Sequence, residues 1–163
     1  MTRVNKPGIQ HLCKKALPFL VLLLSCNNCR TVPPLPAANL SAPGWTVRQG
    51  QAIWRSSRKA PEIAGELLLA TGTDGRAFVQ FTKTPFPLVI AQNAGTDWEI
   101  RFPTENRRYS GRGTPPKRLI WLWLSRAYQG HTVPKGWSWQ PGEERWHLEN
   151  PGTGEFIEGY FTK

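Results

Sequence analysis

The sequence predicts a mainly β domain with one main helix: a curved antiparallel sheet or incomplete β-barrel with a helical lid. Three observations carry this. From Trp45 to Phe102, short runs with apolar and polar residues intermixed recur between Gly-, Asn- and Pro-containing turn clusters, as in strands with one face in a core. One stretch, Lys117–Gln129, places apolar residues at helical spacing instead. Beyond it the β pattern returns to the C terminus, which suits a sheet packed around a single helix.

Trp45–Arg55 spreads aromatic and apolar residues through polar ones and gives the first strand. Glu62–Thr71 (EIAGELLLAT) and Arg76–Thr82 (RAFVQFT) flank Gly72-Thr73-Asp74-Gly75, a turn cluster that makes the pair a hairpin. Lys83-Thr84-Pro85-Phe86-Pro87 breaks the pattern, Leu88–Gln92 resumes it, and Asn93-Ala94-Gly95 turns the chain. In Asp97–Phe102 the alternation is clean. Trp98, Ile100 and Phe102 share one face, and Asp97, Glu99 and Arg101 share the other, so the strand is half-buried with its polar face toward water.

Pro115-Pro116 precedes the helical stretch and Gly130 follows it, as suits helix boundaries. Leu119, Trp123 and Ala127 form one row, and Ile120, Leu124 and Tyr128 the next. Only Arg118, Ser125 and Arg126 interrupt the apolar surface, so the helix is mostly buried or covers an apolar cavity. Trp146 and Leu148 then alternate with Arg145, His147 and Glu149, which turns His147 outward. Asn150–Gly154 is a turn, and Phe156–Phe161 is a closing strand.

Upstream of the domain lies a different kind of sequence. Arg3, Lys6, Lys14 and Lys15 precede the apolar run Ala16–Leu24, then Ser25 and Cys26. This is the layout of a secretory signal over residues 1–25, with an h-region too short to span a bilayer. A cysteine at that position resembles a bacterial lipobox, which implies lipidation of Cys26. Residues 26–44 contain Thr31-Val32-Pro33-Pro34-Leu35-Pro36-Ala37-Ala38 and read as an extended, Pro-rich linker. The domain proper is 45–163. Of the 163 residues, 138 remain after cleavage ahead of Cys26, enough for one domain whose core needs no disulfide or metal.

The formal charge is +10, and four of those charges sit in the signal, leaving +6. Beside a secretory signal, a basic surface points to anionic lipid headgroups rather than nucleic acid, or simply to solubility. Cys26-Asn27-Asn28-Cys29 has a redox spacing but lacks the strand before and helix after that such a motif needs. Once Cys13 leaves with the signal and Cys26 is lipidated, Cys29 is an odd thiol. The two histidines of the mature part, His131 and His147, have no metal-ligand spacing. Glu143-Glu144 and the pair Glu155/Glu158 fall in turns and strand edges, where carboxylates are mostly solvated. No constellation meets the requirements of an active site. The sequence therefore reads as a non-enzyme without cofactor or metal.

What the chain has in excess is aromatic surface, with eight Trp and seven Phe. These rings fill a core or line a pocket for an apolar ligand. In Thr84-Pro85-Phe86-Pro87 a phenylalanine stands between two prolines, and the stiffness of such a loop favours an exposed ring.

Three of these features together resemble the LolA/LolB lipoprotein-localisation family, closest to its anchored LolB branch. They are the lipobox ending at Cys26, the strand–Pro-Phe-Pro-Leu–strand segment Arg76–Gln92, and the proline-led apolar helix beginning Pro115-Pro116-Lys117-Arg118-Leu119-Ile120-Trp121-Leu122. The resemblance implies an incomplete barrel with a helical lid over an apolar cavity that holds lipid or acyl chains of other lipoproteins. It implies Phe86 as the membrane-facing loop residue, Leu119, Leu122, Trp123 and Ala127 lining the lid, and Trp98, Ile100 and Phe102 lining the cavity. Burial of acyl methylenes, ~0.8 kcal/mol each, would drive binding. It further implies a LolA-like periplasmic carrier as partner. Because Asn27, not Asp, follows Cys26, it implies an outer-membrane location facing the periplasm. The alternative is an anchored structural or protein-interaction module with a solid core.

Overall fold

The computed structural model describes residues 33–142 and 145–162. The signal segment, Cys13, Cys26, Cys29 and Glu143-Glu144 lie outside the described residues. Among the described residues nine strands and one α-helix are formed: β1 (Trp45–Arg55), β2 (Ile63–Gly72), β3 (Ala77–Lys83), β4 (Phe86–Ala94), β5 (Asp97–Phe102), β6 (Arg107–Arg112), α1 (Ile120–Tyr128), β7 (Ser138–Gln140), β8 (Trp146–Asn150) and β9 (Glu155–Phe161).

The strands make one sheet in the order β6-β5-β4-β3-β2-β1-β9-β8-β7, every neighbour antiparallel. It does not close. The architecture is thus a curved, open sheet with one helix, not a complete barrel. The long β6–β7 connection carries α1, after which β9 returns to pair with β1, setting Ala52 against Gly159 and Trp54 against Ile157.

Three local boundaries differ from the sequence expectation. The β3–β4 hairpin is tighter, because Lys83 still pairs with Phe86 and only Thr84-Pro85 lies in the turn. The helix is shorter at its N-terminal end. Leu119 N–H bonds Pro116 O (3.1 Å) in a preceding turn, and Leu119, with φ −107° and ψ 70°, stands outside the helix. Strand β6, RRYSGR, lacks an apolar alternation to announce it. It is an edge strand, and charges are well suited there because they discourage pairing with another chain.

Strand pleating sorts the sheet into two faces. The inner face carries Trp54, Leu67, Leu69, Val79, Phe81, Ile100 and Leu148 in one cluster with α1. Side-chain-free positions seat some of its large rings. A Cβ on Gly65 would meet the Phe81 ring at 2.9 Å, and one on Gly111 would collide with the Trp98 ring. The other face is the outer one, and its rungs include Gln49–Leu68–Gln80 and Gln51–Glu66–Thr82.

The compact unit begins at Pro34, earlier than the composition boundary at 44/45. Leu35 N–H donates to Glu99 Oε2 (2.9 Å), and Thr73 N–H donates to Gly44 O (3.1 Å). Much of the expected linker is therefore a strap on the outer face. Glu99, expected in water, is 1% exposed beneath it.

Candidate functional surface

The inner face gathers the residues expected to line a lid and cavity. Leu119, Leu122, Trp123 and Ala127 are all buried, as are Trp98 and Ile100. Phe102 ends the same row half-buried, edge-on to Tyr109 with centroids 6.4 Å apart. Seven of the nine residues of α1 are buried, so the helix presents apolar surface all round its contact with the sheet. At the centre Trp121 stacks on Phe81 (4.9 Å), and Trp54 meets both edge-on at 5.6 and 6.4 Å. A second group joins Tyr128, Trp139, Trp146 and Phe161 at 5.0–6.4 Å. Burial pushes the Tyr128 phenol up, with the opposing charge of Arg48 acting the other way.

Polar ties hold α1 in place. Asn93 Nδ2 donates to Ser125 Oγ (3.0 Å), which itself donates to Leu122 O (3.0 Å). Gln129 Nε2 donates to Arg76 O (3.1 Å), and Trp123 Nε1 donates to Pro116 O (3.2 Å). Gly130, at φ 82°, ends the helical segment in the left-handed region.

Phe86 stands apart from this cluster. It is 63% exposed at the tip of the β3–β4 hairpin, opposite Lys83. Antiparallel pairing puts the β1–β2 loop, this hairpin and the β5–β6 turn at one end of the sheet. Two arginines of that end are ion-paired, Arg55 with Glu62 (3.5 Å) and Arg107 with Glu105. Arg58 Nη2 donates to Pro151 O (2.7 Å). Lys59 and Lys83 have no ion pair among the described residues. The end is therefore basic, with one projecting ring.

Three ionisable arrangements escaped the sequence reading. Glu99 accepts from Leu35 and pairs with Arg101 (3.3 Å) and Arg108 (2.9 Å). Its strand pattern announced an outward face but not what lies over it. Glu155, expected in solvent, is only 9% exposed. It takes a long bond from Trp54 Nε1 (3.4 Å), and burial pushes its carboxyl up to about 7 despite that donor. His147 lies on the outer face between Glu158 and Glu149, 3.4 Å from each, stacked on Phe156. The i, i+2 spacing of His147 and Glu149 was visible; the contribution of β9 was not.

Among the described residues, no group of three His, Cys, Asp or Glu is placed to hold a metal ion. No helix among them is long and apolar enough to cross a membrane. No protein-family model and no curated protein matches the chain.

Proposed function

We propose that this chain is a membrane-anchored envelope lipoprotein whose domain works at the bilayer surface, holding its interior filled and dipping the Phe86 hairpin into the lipid interface. The projection of Phe86 from a basic end supports this reading. Burying that ring contributes at most about 1.5–3 kcal/mol, and each nearby cation about 1 kcal/mol at an anionic surface. With Lys59 and Lys83 the total is roughly 4 kcal/mol, about millimolar binding. Such docking is too weak to hold the protein alone, which is why a lipid on Cys26 belongs to the mechanism: stable attachment takes two signals. Eight residues lie between Cys26 and Leu35, so the lipid lies at most about 30 Å of chain from the strap's bond to Glu99. The asparagine after Cys26 supports the outer membrane as location.

The experiment is binding of the 34–163 unit to phosphatidylcholine vesicles with and without phosphatidylglycerol. Anionic lipid should tighten binding, and Phe86→Glu should weaken it about tenfold or more, the loss of the ring's burial. Equal binding by Phe86→Glu sinks the proposal.

The acyl-cargo reading, with a LolA-like carrier as donor, has one observation in its favour. A single short helix without a side-chain cap lies over the centre of the aromatic inner face, where Trp121 stacks on Phe81. For a chain to enter, α1 must lift. Exposing Ile120 to Leu124, at about 1.5–3 kcal/mol each, costs on the order of 10 kcal/mol, comparable to the stability of a whole domain. That cost favours the surface reading. Uptake of a fluorescent fatty acid, abolished by replacing Leu122 with a charged residue in a still-folded domain, would reverse the preference.

A further inference from the structure

We infer that the outer face of the sheet carries a binding groove for a neutral saccharide. Its first lobe, of about 310 Å³, lies over the strands β1, β2 and β3 and is lined chiefly by Gln49, Gln51, Glu66, Gln80, Thr82 and Thr162. That volume sits at the small end of ligand sites. Primary amides and hydroxyls both donate and accept, and one carboxylate adds a strong acceptor. This is the mixture that a ring of hydroxyl groups needs. No Lys or Arg lines this lobe, so nothing there balances a phosphate or a carboxylate. Leu68 is its one outward apolar side chain, too little for an acyl chain.

A second lobe of about 170 Å³ shares Gln51 and adds Ile53, Ala64 and Tyr160, with Arg145 and Glu158 also on its lining. Tyr160 is 41% exposed. An exposed ring beside hydrogen-bonding groups offers a flat apolar platform to the C–H face of a pyranose. The polar groups are already positioned. Tyr160 Oη donates to Gln51 Oε1 (3.2 Å), Thr84 Oγ1 to Glu66 Oε1 (2.9 Å), and Gln80 Nε2 to Thr82 Oγ1 (3.2 Å). Tyr160, Gln51, Glu66 and Thr82 face one another along a single rung across β9, β1, β2 and β3. A short linear saccharide laid along that rung would reach both lobes through Gln51.

The test is saturation-transfer NMR on the full chain in amine-oxide micelles, which carry no sugar headgroup. Tri-N-acetylchitotriose, cellotriose and maltotriose are the probes at up to about 10 mM, enough to half-fill even a very weak site. At least one should receive saturation. Glu66→Gln and Tyr160→Ala should each weaken that sugar about threefold to tenfold, as expected for losing one hydrogen bond or one ring contact. Tyr160→Phe, which keeps the ring, should retain most of the binding. Circular dichroism melting separates lost binding from lost fold. No saturation of any of the three sugars overturns the inference. So does undiminished binding in folded Glu66→Gln and Tyr160→Ala, or saturation of a neutral tetrapeptide in their place.

Discussion

The inner face of the sheet is covered by nine residues of helix, and part of the outer face by a strap, residues 34–44, with no helix or strand of its own. The two coverings hold by different forces. Under α1 the contact is apolar: Trp121 is 1% exposed, Leu122 and Leu124 are fully buried, and each such side chain contributes about 1.5–3 kcal/mol. Under the strap the visible ties are polar: Glu99 accepts from Leu35 N–H and pairs with two arginines, and Thr73 N–H donates to Gly44 O, each worth roughly 1–3 kcal/mol. The same backbone ladder thus carries a strongly held lid and a lightly held strap. Local opening belongs to the second.

The largest effect should come from breaking the inner contact. Trp121→Ala removes a ring stacked on Phe81 and edge-on to Trp54 and should cost about 3–5 kcal/mol, read in urea unfolding of the 34–163 unit. A loss below about 1 kcal/mol would mean the ring lines a space that collapses or refills. That result would turn the comparison around in favour of a hollow interior.

A smaller effect is written into pH. Glu155 lies at the inner rim with its carboxyl pushed up to about 7 from 4.5 by burial. The folded chain keeps this proton to about pH 7, whereas the unfolded chain releases it near 4.5. Between those values the folded state binds more protons, so stability falls as pH rises. The group's contribution across that window is up to about 3 kcal/mol. Urea midpoints at the two ends of the window should fall for the wild type and change less for Glu155→Gln. Parallel pH profiles of the two proteins would show that Glu155 is solvated after all.

The sequence made one of these faces far easier to read than the other. Trp98, Ile100 and Phe102 alternate with polar residues, and α1 repeats apolar rows at helical spacing, so the inner face and its covering were visible in local periodicity. The outer covering had no such signature. Leu35 meets Glu99 across 64 residues, and a Pro-rich segment without helix or strand reads the same whether it lies on a sheet or in water. Glu155 departs from its expected exposure for a related reason. A carboxylate beside a Gly-containing turn is usually exposed, and only the return of β9 to β1 brings it beside Trp54. The groove over Gln51 and Glu66 combines residues from β1, β2 and β3, and no single stretch of sequence shows it.

The strap offers the next test. Glu99→Ala should leave Leu35 N–H without its acceptor and remove the Glu99 pairing of Arg101 and Arg108. Both arginines are more than a third exposed at their side chains, so water can take over their charges. The global cost is accordingly about 1–2 kcal/mol rather than the larger penalty of a fully buried broken pair. The local signature is more telling. Hydrogen exchange at Leu35 and proteolysis within 34–44 should both accelerate, while the amides of α1 keep their protection. Equal acceleration at α1 would mean that the two coverings open together.

The smallest effect is expected where exposure is greatest, and it isolates what the fold needs from what the surface is for. Phe81 and Phe86 belong to the same hairpin, five positions apart, on opposite sides of the two-residue turn. Phe81 is fully buried against Trp121, whereas Phe86 projects. Phe81→Ala should cost about 3–5 kcal/mol. Phe86→Ala should stay within about 0.5 kcal/mol of wild type, as surface changes away from special features do, and on a domain of this size it should move the melting temperature by only about 2–3 °C. Both melts are measured without lipid, so any membrane role of Phe86 makes no contribution. A Phe86→Ala cost near that of Phe81→Ala would place the ring among the groups that hold the hairpin together. A neutral Phe86→Ala leaves a large apolar side chain kept in water at no benefit to the fold, which is the physical reason to look for its partner outside the domain.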